Sequence, residues 1–364
     1  MSTGSGCVVV VSHAGVLSAN RAVYGELGAR GIGVELVVPS RWRNEYAPGG
    51  FAADPPGALA GHVHPRRVAG QGHPQRHAYL TRTAAMLASL DAGIVLIEEE
   101  PFSLAALQWS RAARRRGIPY GVQVAETLAR PMPRSVERWR TGVLARAAFV
   151  VARSPSAAAL ARSWGAVVEP DVVPHDVAAH AELAPPSGVF TVAYVGRLVE
   201  EKGVSDLLDA VGALDDVVLL VAGAGPLAER VSRAGANVEY LGPVDHGDVG
   251  DVYARAHVTC VPSRATPRWE EQFGRVVVES NVRGVPVVAA STGELPWVLS
   301  VTGGGVLVAE RDAPALAAAL AALRDEPERT RALGRAGREG VLSSFTTSVV
   351  ADRLGAVLAR VSGR

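Results

Sequence analysis

Two acids eight residues apart bracket a Phe-Gly turn in WEEQFGRVVVES, residues 269–280. Glu271 precedes the turn, and Glu279 falls inside a helix expected over residues 275–283, which Gly284 would terminate. A carboxylate ahead of a helix can accept hydrogen bonds from sugar hydroxyls or balance positive charge. A second carboxylate between one and two turns in, roughly 7 Å along the axis, can hold a ribose diol by two hydrogen bonds. Exposed amides at Gly274, Arg275 and Val276 can meet an anion with help from the helix dipole. Taken singly, each acid reads equally well as an ordinary helix residue.

A second cluster is GRLVEEKG, residues 196–203, expected to follow a strand. Gly196 ends the strand, Arg197 follows, and Lys202 stands at the next helix start. A bidentate guanidinium and a compact ammonium on one loop suit a diphosphate. The competing reading is a surface loop with a salt bridge to Glu200 or Glu201. Of the 37 basic residues, Lys202 is the sole lysine, which points to a place where a compact charge is wanted and a planar guanidinium is not. GAGPLAE, residues 223–229, resembles half of a dinucleotide fingerprint but lacks its third glycine.

The first half offers softer signals. Glu98, Glu99 and Glu100 follow a strand; one is expected to reach a ligand and the others to be solvated, because three adjacent carboxylates are costly to bury. Asn20 and Arg21 open the first helix, Trp42 in SRWRNEY (residues 40–46) can stack on a ring, and GVQVAET supplies Gln123 and Glu126. Asn20, Arg21, Trp42, Glu100 and Glu126 therefore form the candidate ligand-binding set of this half. His13, His73 and His77 show no metal-ligand spacing and there is no clean Asp-x-Asp motif, so no metal is expected.

These residues need elements to hold them. At 364 residues the chain suits two domains, and 48% hydrophobic with 20% charged residues is globular. Valine-rich strands apolar on both faces alternate with helical segments, the pattern of parallel sheets covered on both sides. PPSG at residues 185–188 is the best linker candidate. The expected organisation is a Rossmann-like domain over residues 1–180, a second Rossmann-like domain over 188–345, and a C-terminal helix, 346–364, returning to the first. Ligands of such sheets bind beyond the carboxyl ends of the strands, which points to a cleft between the domains.

Charge is uneven. Residues 1–180 hold 19 Arg against 13 Asp and Glu, or +6, so the remainder carries 1 − 6 = −5. The basic runs at 111–116 and 130–146 read first as solvated helix faces and second as a surface for anionic lipid. No nucleic-acid partner is expected. The apolar runs are of strand length, the N-terminus MSTGSGC does not read as a secretory signal, and Cys7 and Cys260 lie in strand-like runs. A cytoplasmic protein is expected.

The motifs in combination go further. VVPHDV, VAYVGRLVEEKGVSDLLDAV, VAGAGPL, VEYLGPV and Glu271-x7-Glu279, followed by GVPVVAASTGELP, occur in an order and spacing that resembles the retaining GT-B glycosyltransferases of family 4 (glycosyl transferases group 1). The resemblance implies an α/β fold of two Rossmann-like domains whose parallel sheets face across a cleft. It implies that Arg197 and Lys202 bind the donor diphosphate and stabilise the leaving nucleotide, and that Glu271 sits by the donor sugar with the amides of Phe273 and Gly274. Glu279 would take the ribose, the backbone at Leu241 and Val244 the base, and Gly15 the diphosphate-facing loop of the first domain. The implied reaction is metal-independent transfer with retention, from a nucleotide-diphosphate sugar to an acceptor hydroxyl or amine. The first domain would hold the acceptor, and its set Asn20, Arg21, Trp42, Glu100 and Glu126 suits a polar small molecule such as a sugar or cyclitol. A membrane lipid or glycan acceptor is the alternative. His175–Asp176 replace a common Asn-Gly, Glu294 replaces a glycine, Trp297 replaces a Glu, and residues inserted before the motif add Arg264, Arg268 and Trp269. A histidine common on the first domain's sugar loop is not evident. An epimerase would need cleft acids and histidines in a pattern not found, an oxidoreductase a full glycine fingerprint, and a non-catalytic binder should lack Glu271.

Overall fold

In the computed structural model, residues 6–43, 49–59, 61–245 and 247–363 are described. The chain divides into two units, one of Met1–Pro174 with Thr347–Arg364 and one of His175–Thr346. The proposed linker at 185–188 is not the dividing point. Leu183, Pro185 and Pro186 instead line a pocket of the second unit with Phe190 and His257.

The first unit carries a seven-stranded parallel sheet in the order Asp171–Val172, Phe149–Ala152, Tyr120–Val124, Ala92–Glu98, Cys7–Ser12, Val34–Pro39, Val63–Arg66. Alternation along the valine run explains its burial on both faces. Val9 and Val11 enter one core with Ile97, Val122 and Trp109, while Val8 and Val10 enter the other with Leu36 and Leu96. The second core is closed by the last helix, Thr347–Ser362, whose Val350, Leu354, Val357 and Leu358 recur at helical spacing and pack with Tyr24 and Leu27. Arg30 ties this helix down, its Nε 2.7 Å from Asp352 Oδ1, and Arg360 reaches Asp171 at 2.6 Å.

The second unit has six parallel strands in the order Val238–Gly242, Val217–Ala222, Phe190–Val195, Val258–Val261, Val287–Ala290, Gly305–Val308. The helices Val204–Gly212 and Ala313–Asp325 cover one face through Leu207, Val211, Leu316 and Leu320. On the other face Val277, Val278 and Leu295 pack on Val287 and Ala289. Asp312 caps its helix by accepting from the Ala315 amide at 2.8 Å. Cys260 is buried and Cys7 donates to Leu90 O; burial pushes both thiols up, Cys7 to about 11, so neither is a ready nucleophile. Among the described residues no helix is long and apolar enough to cross a membrane.

Candidate functional site

The candidate site gathers where three loops of the second unit meet. Gly203 occupies the left-handed region at φ 68°, and a Cβ there would stand 1.8 Å from Pro262 O. That contact lets the loop after Phe190–Val195 lie against the loop after Val258–Val261. It places the Lys202 Nζ 2.6 Å from Glu271 Oε2, which also accepts from Ser263 Oγ at 3.0 Å. The Trp269 ring lies 4.7 Å from the same ammonium. The inserted residues thus extend the lysine's own environment, and Arg264 is drawn aside into a forked ion pair with Asp206.

A third loop braces Glu271 from behind. The Glu294 amide donates to Glu271 O at 2.8 Å, and Gly293, at φ 52°, approaches so closely that a Cβ would lie 2.1 Å from that oxygen. STGELP therefore holds the acidic loop in place. Glu294 is buried, and Trp297 packs on Phe273 and Phe345, so the second of these departures from the family pattern serves the aromatic core beside the turn. Phe273 is itself buried and meets the His175 ring at 5.4 Å.

A cavity of about 360 Å³ opens on this arrangement. Gly196, Arg197, Lys202, Glu271, Phe273, Gly274, Arg275 and Val276 all line it, along with His175 and Ser263. Sequence reasoning thus chose eight residues that the fold brings to one place. Glu279 stands outside that lining on the helix Arg275–Asn281, accepting from Tyr253 Oη at 3.3 Å with Arg275 Nε 3.7 Å away. Leu241 and Val244 pack on a cluster that includes Tyr253, so Tyr253 connects the expected ribose and base positions.

The acceptor-side residues lie in the first unit, and the structure revises most of them. Arg21 is buried, with its guanidinium donating to the carbonyls of Gly15, Val16, Asp54 and Pro55. It supports a loop instead of presenting a charge to a ligand. Asn20 likewise donates to Ala14 O, and the Gly15 amide donates to Ser12 Oγ. Trp42 is buried between the rings of His13 and His77, each 5.1 Å away, and is no exposed platform. Asn44, Glu45 and Tyr46 lie outside the described residues. Glu126 is buried and paired with Arg130 at 3.2 Å.

The expectation that the surplus carboxylates of the Glu98–Glu99–Glu100 run are solvated fails, because each has its own polar partner. Glu98 pairs with Arg153 at 2.5 Å, and Glu100 Oε1 accepts the amides of Ala125 and Glu126. Burial pushes the Glu100 carboxyl up to about 8 despite those amides. Glu99 accepts from His13, whose Nδ1 lies 2.6 Å away, and sits 3.3 Å from His77 Nε2. Burial alone would raise Glu99, but the His13 imidazole beside it holds it down at about 2. Sequence reasoning missed this last grouping. The strand register carries the signal, because Ser12 pairs with Glu98 and so sets His13 beside Glu99.

These two sheets define the class. Sucrose-phosphate synthase from Thermosynechococcus elongatus superposes with a TM-score of 0.74 at 19% identity, covering 98% of this chain and 99% of that one. The Anabaena protein HepE, solved with UDP-glucose, gives 0.72 at 17% identity over 98% of this chain and 100% of its own. The fold is GT-B. Residues 178–340, which lie within the second unit, match the family described as glycosyl transferases group 1. Among curated relatives, a phosphatidyl-myo-inositol mannosyltransferase of Mycobacterium leprae is 39% identical over 173 residues, 45% of each chain. A D-inositol 3-phosphate glycosyltransferase of Segniliparus rotundus is 37% identical over 175 residues, 44% of this chain and 38% of that protein. The chain thus matches less than half the length of these relatives.

Proposed function

We propose that the chain is a glycosyltransferase that moves a sugar from a nucleotide-diphosphate sugar to a hydroxyl or amine, with retention and without a metal at the leaving group. The observation that carries this reading is the cavity on which Arg197, Lys202 and Glu271 converge. Two fixed cations answer the charge that builds on a departing diphosphate, the role a metal ion fills elsewhere. The ammonium has three donors, of which Glu271 engages one. Glu271 then meets the donor sugar while restraining the lysine. Retention follows if the acceptor attacks from the face the diphosphate leaves, which needs no protein nucleophile.

For the acceptor we favour a polar small molecule. The two inositol-directed relatives, named for D-inositol 3-phosphate and phosphatidyl-myo-inositol, support a cyclitol headgroup more than either of its forms, while a relative named glycogen synthase would place a glycan there instead. The arginine runs of the first unit, exposed at Arg111, Arg114, Arg115 and Arg116, lack the flanking exposed aromatic and aliphatic side chains of an interfacial helix.

The test is incubation with UDP-, GDP-, ADP- and dTDP-sugars, following nucleoside diphosphate release with and without inositol, inositol phosphate or phosphatidylinositol vesicles. One donor should be slowly hydrolysed alone and turned over faster with a soluble acceptor, and the product should keep the donor's anomeric configuration. Stimulation by vesicles alone would reverse the acceptor choice, and release from none of the donors would refute the activity. In the same assay Glu279→Ala should weaken nucleoside diphosphate binding by about 10- to 100-fold, since charge-assisted hydrogen bonds contribute about 1.5–3 kcal/mol. Unchanged affinity by calorimetry would remove the ribose role.

A further inference from the structure

We propose that His13, Glu99 and His77 form a divalent-cation site in the first unit, suited to Zn²⁺. The three residues come from separate segments: the loop after Cys7–Ser12, the loop after Ala92–Glu98, and the stretch leading into Ala78–Tyr79. One ligand atom from each lies within 4.8 Å of the others. His77 is fully buried, and its Nδ1 stands 2.9 Å from Pro74 O. A carbonyl only accepts, so Nδ1 carries the proton and the neutral ring has a lone pair on Nε2.

That lone pair faces Glu99 Oε1 at 3.3 Å, and Nε2 has no hydrogen-bond partner among the described residues. Two electron-rich atoms held face to face in a buried place need a cation between them. A metal ion meets the geometry: with bonds of about 2.0–2.1 Å, neighbouring ligands of a tetrahedral zinc stand roughly 3.3 Å apart. The shorter contact between His13 Nδ1 and Glu99 Oε2, 2.6 Å, would open as the ion replaces its shared proton. The Pro74 carbonyl on the far nitrogen of His77 is the outer partner that orients a metal-binding imidazole. Two imidazoles and a carboxylate leave a fourth position, and the His13 side chain, 25% exposed, marks the opening. Trp42 walls the other side. The ion would tie three loops together in the unit expected to receive the acceptor, apart from the cations assigned to the diphosphate.

The experiment uses the full chain without an affinity tag, stripped with a chelator. Zn²⁺ is titrated against a chromophoric zinc indicator, and Co²⁺ is added separately to record visible absorption. One equivalent of Zn²⁺ should bind, and Co²⁺ should give the bands of a low-coordinate nitrogen and oxygen site. His77→Gln and His13→Gln should each weaken binding by about 100-fold, the upper end of what even an outer partner costs. Should the buried His77→Gln fail to fold, the part-exposed His13→Gln decides. Absence of binding at micromolar Zn²⁺, or undiminished binding in His13→Gln, would overturn the proposal and leave a proton, on an imidazolium at His77, as the cation facing Glu99.

Discussion

Lys202→Ala is expected to lower turnover by about 100- to 1,000-fold, the loss seen when one preorganised donor to a developing oxyanion is removed. The magnitude follows from where the ammonium sits. It lines the cavity, is held by Glu271 at 2.6 Å and rests near Trp269, so it needs little reorganisation when charge appears on the leaving group. Lys202→Arg should rescue little, since a planar fork cannot replace a compact ammonium between an acid and an indole. The substitution also leaves the Glu271 carboxylate, with 12% of its side chain exposed, with Ser263 Oγ as its remaining donor among the described residues. Glu271→Gln made with Lys202→Ala separates that effect, because the double variant carries no orphaned charge. Single-turnover rates at saturating donor are the measurement, and a Lys202→Ala enzyme within about threefold of wild type would refute the role.

Gly203→Ala is expected to cost roughly 2–5 kcal/mol of stability. An alanine at φ 68° carries left-handed strain of about 1–2 kcal/mol, and the overpacking against Pro262 O adds about 1–3. The loops can relieve the clash only by separating, which would also draw Lys202 from Glu271. Gly212→Ala is the control. No atom lies within 4 Å of a Cβ there and its backbone is helical, so that variant should be neutral or slightly stabilising. Urea unfolding of both variants followed by circular dichroism tests the pair. Equal midpoints would show that the approach of Gly203 to Pro262 does not matter.

The sequence made the alternation of strand and helix legible because valine runs buried on both faces admit few alternatives. It also located the loops that line the cavity, since each follows a strand directly. What it hid depended on pairing at a distance. Nothing local to His13 or Glu99, 86 residues apart, shows that their strands are neighbours in register. Arg21 and Trp42 looked like ligand-facing groups because their types suit that work, yet Arg21 is engaged by four carbonyls and Trp42 is enclosed by two imidazoles. The acidic triplet was expected to stay partly wet because burying like charges is costly. That cost is offset by an arginine, the His13 imidazole and two amides drawn from other segments.

The closing helix Thr347–Ser362 also orders events on the ribosome. Residues of the second unit run uninterrupted from His175 to Thr346, whereas the first unit needs Val350, Leu354 and Val357 to cover Leu27 and Leu36. During synthesis the first 174 residues therefore emerge with an apolar sheet face still open, and the second unit can fold before that face is closed. The nascent first half is then the stage at which chaperones have the most to hold. Substitutions that weaken the apolar stripe of the final helix should accordingly appear first as lower yield in cells, before any change in the chemistry of the folded protein.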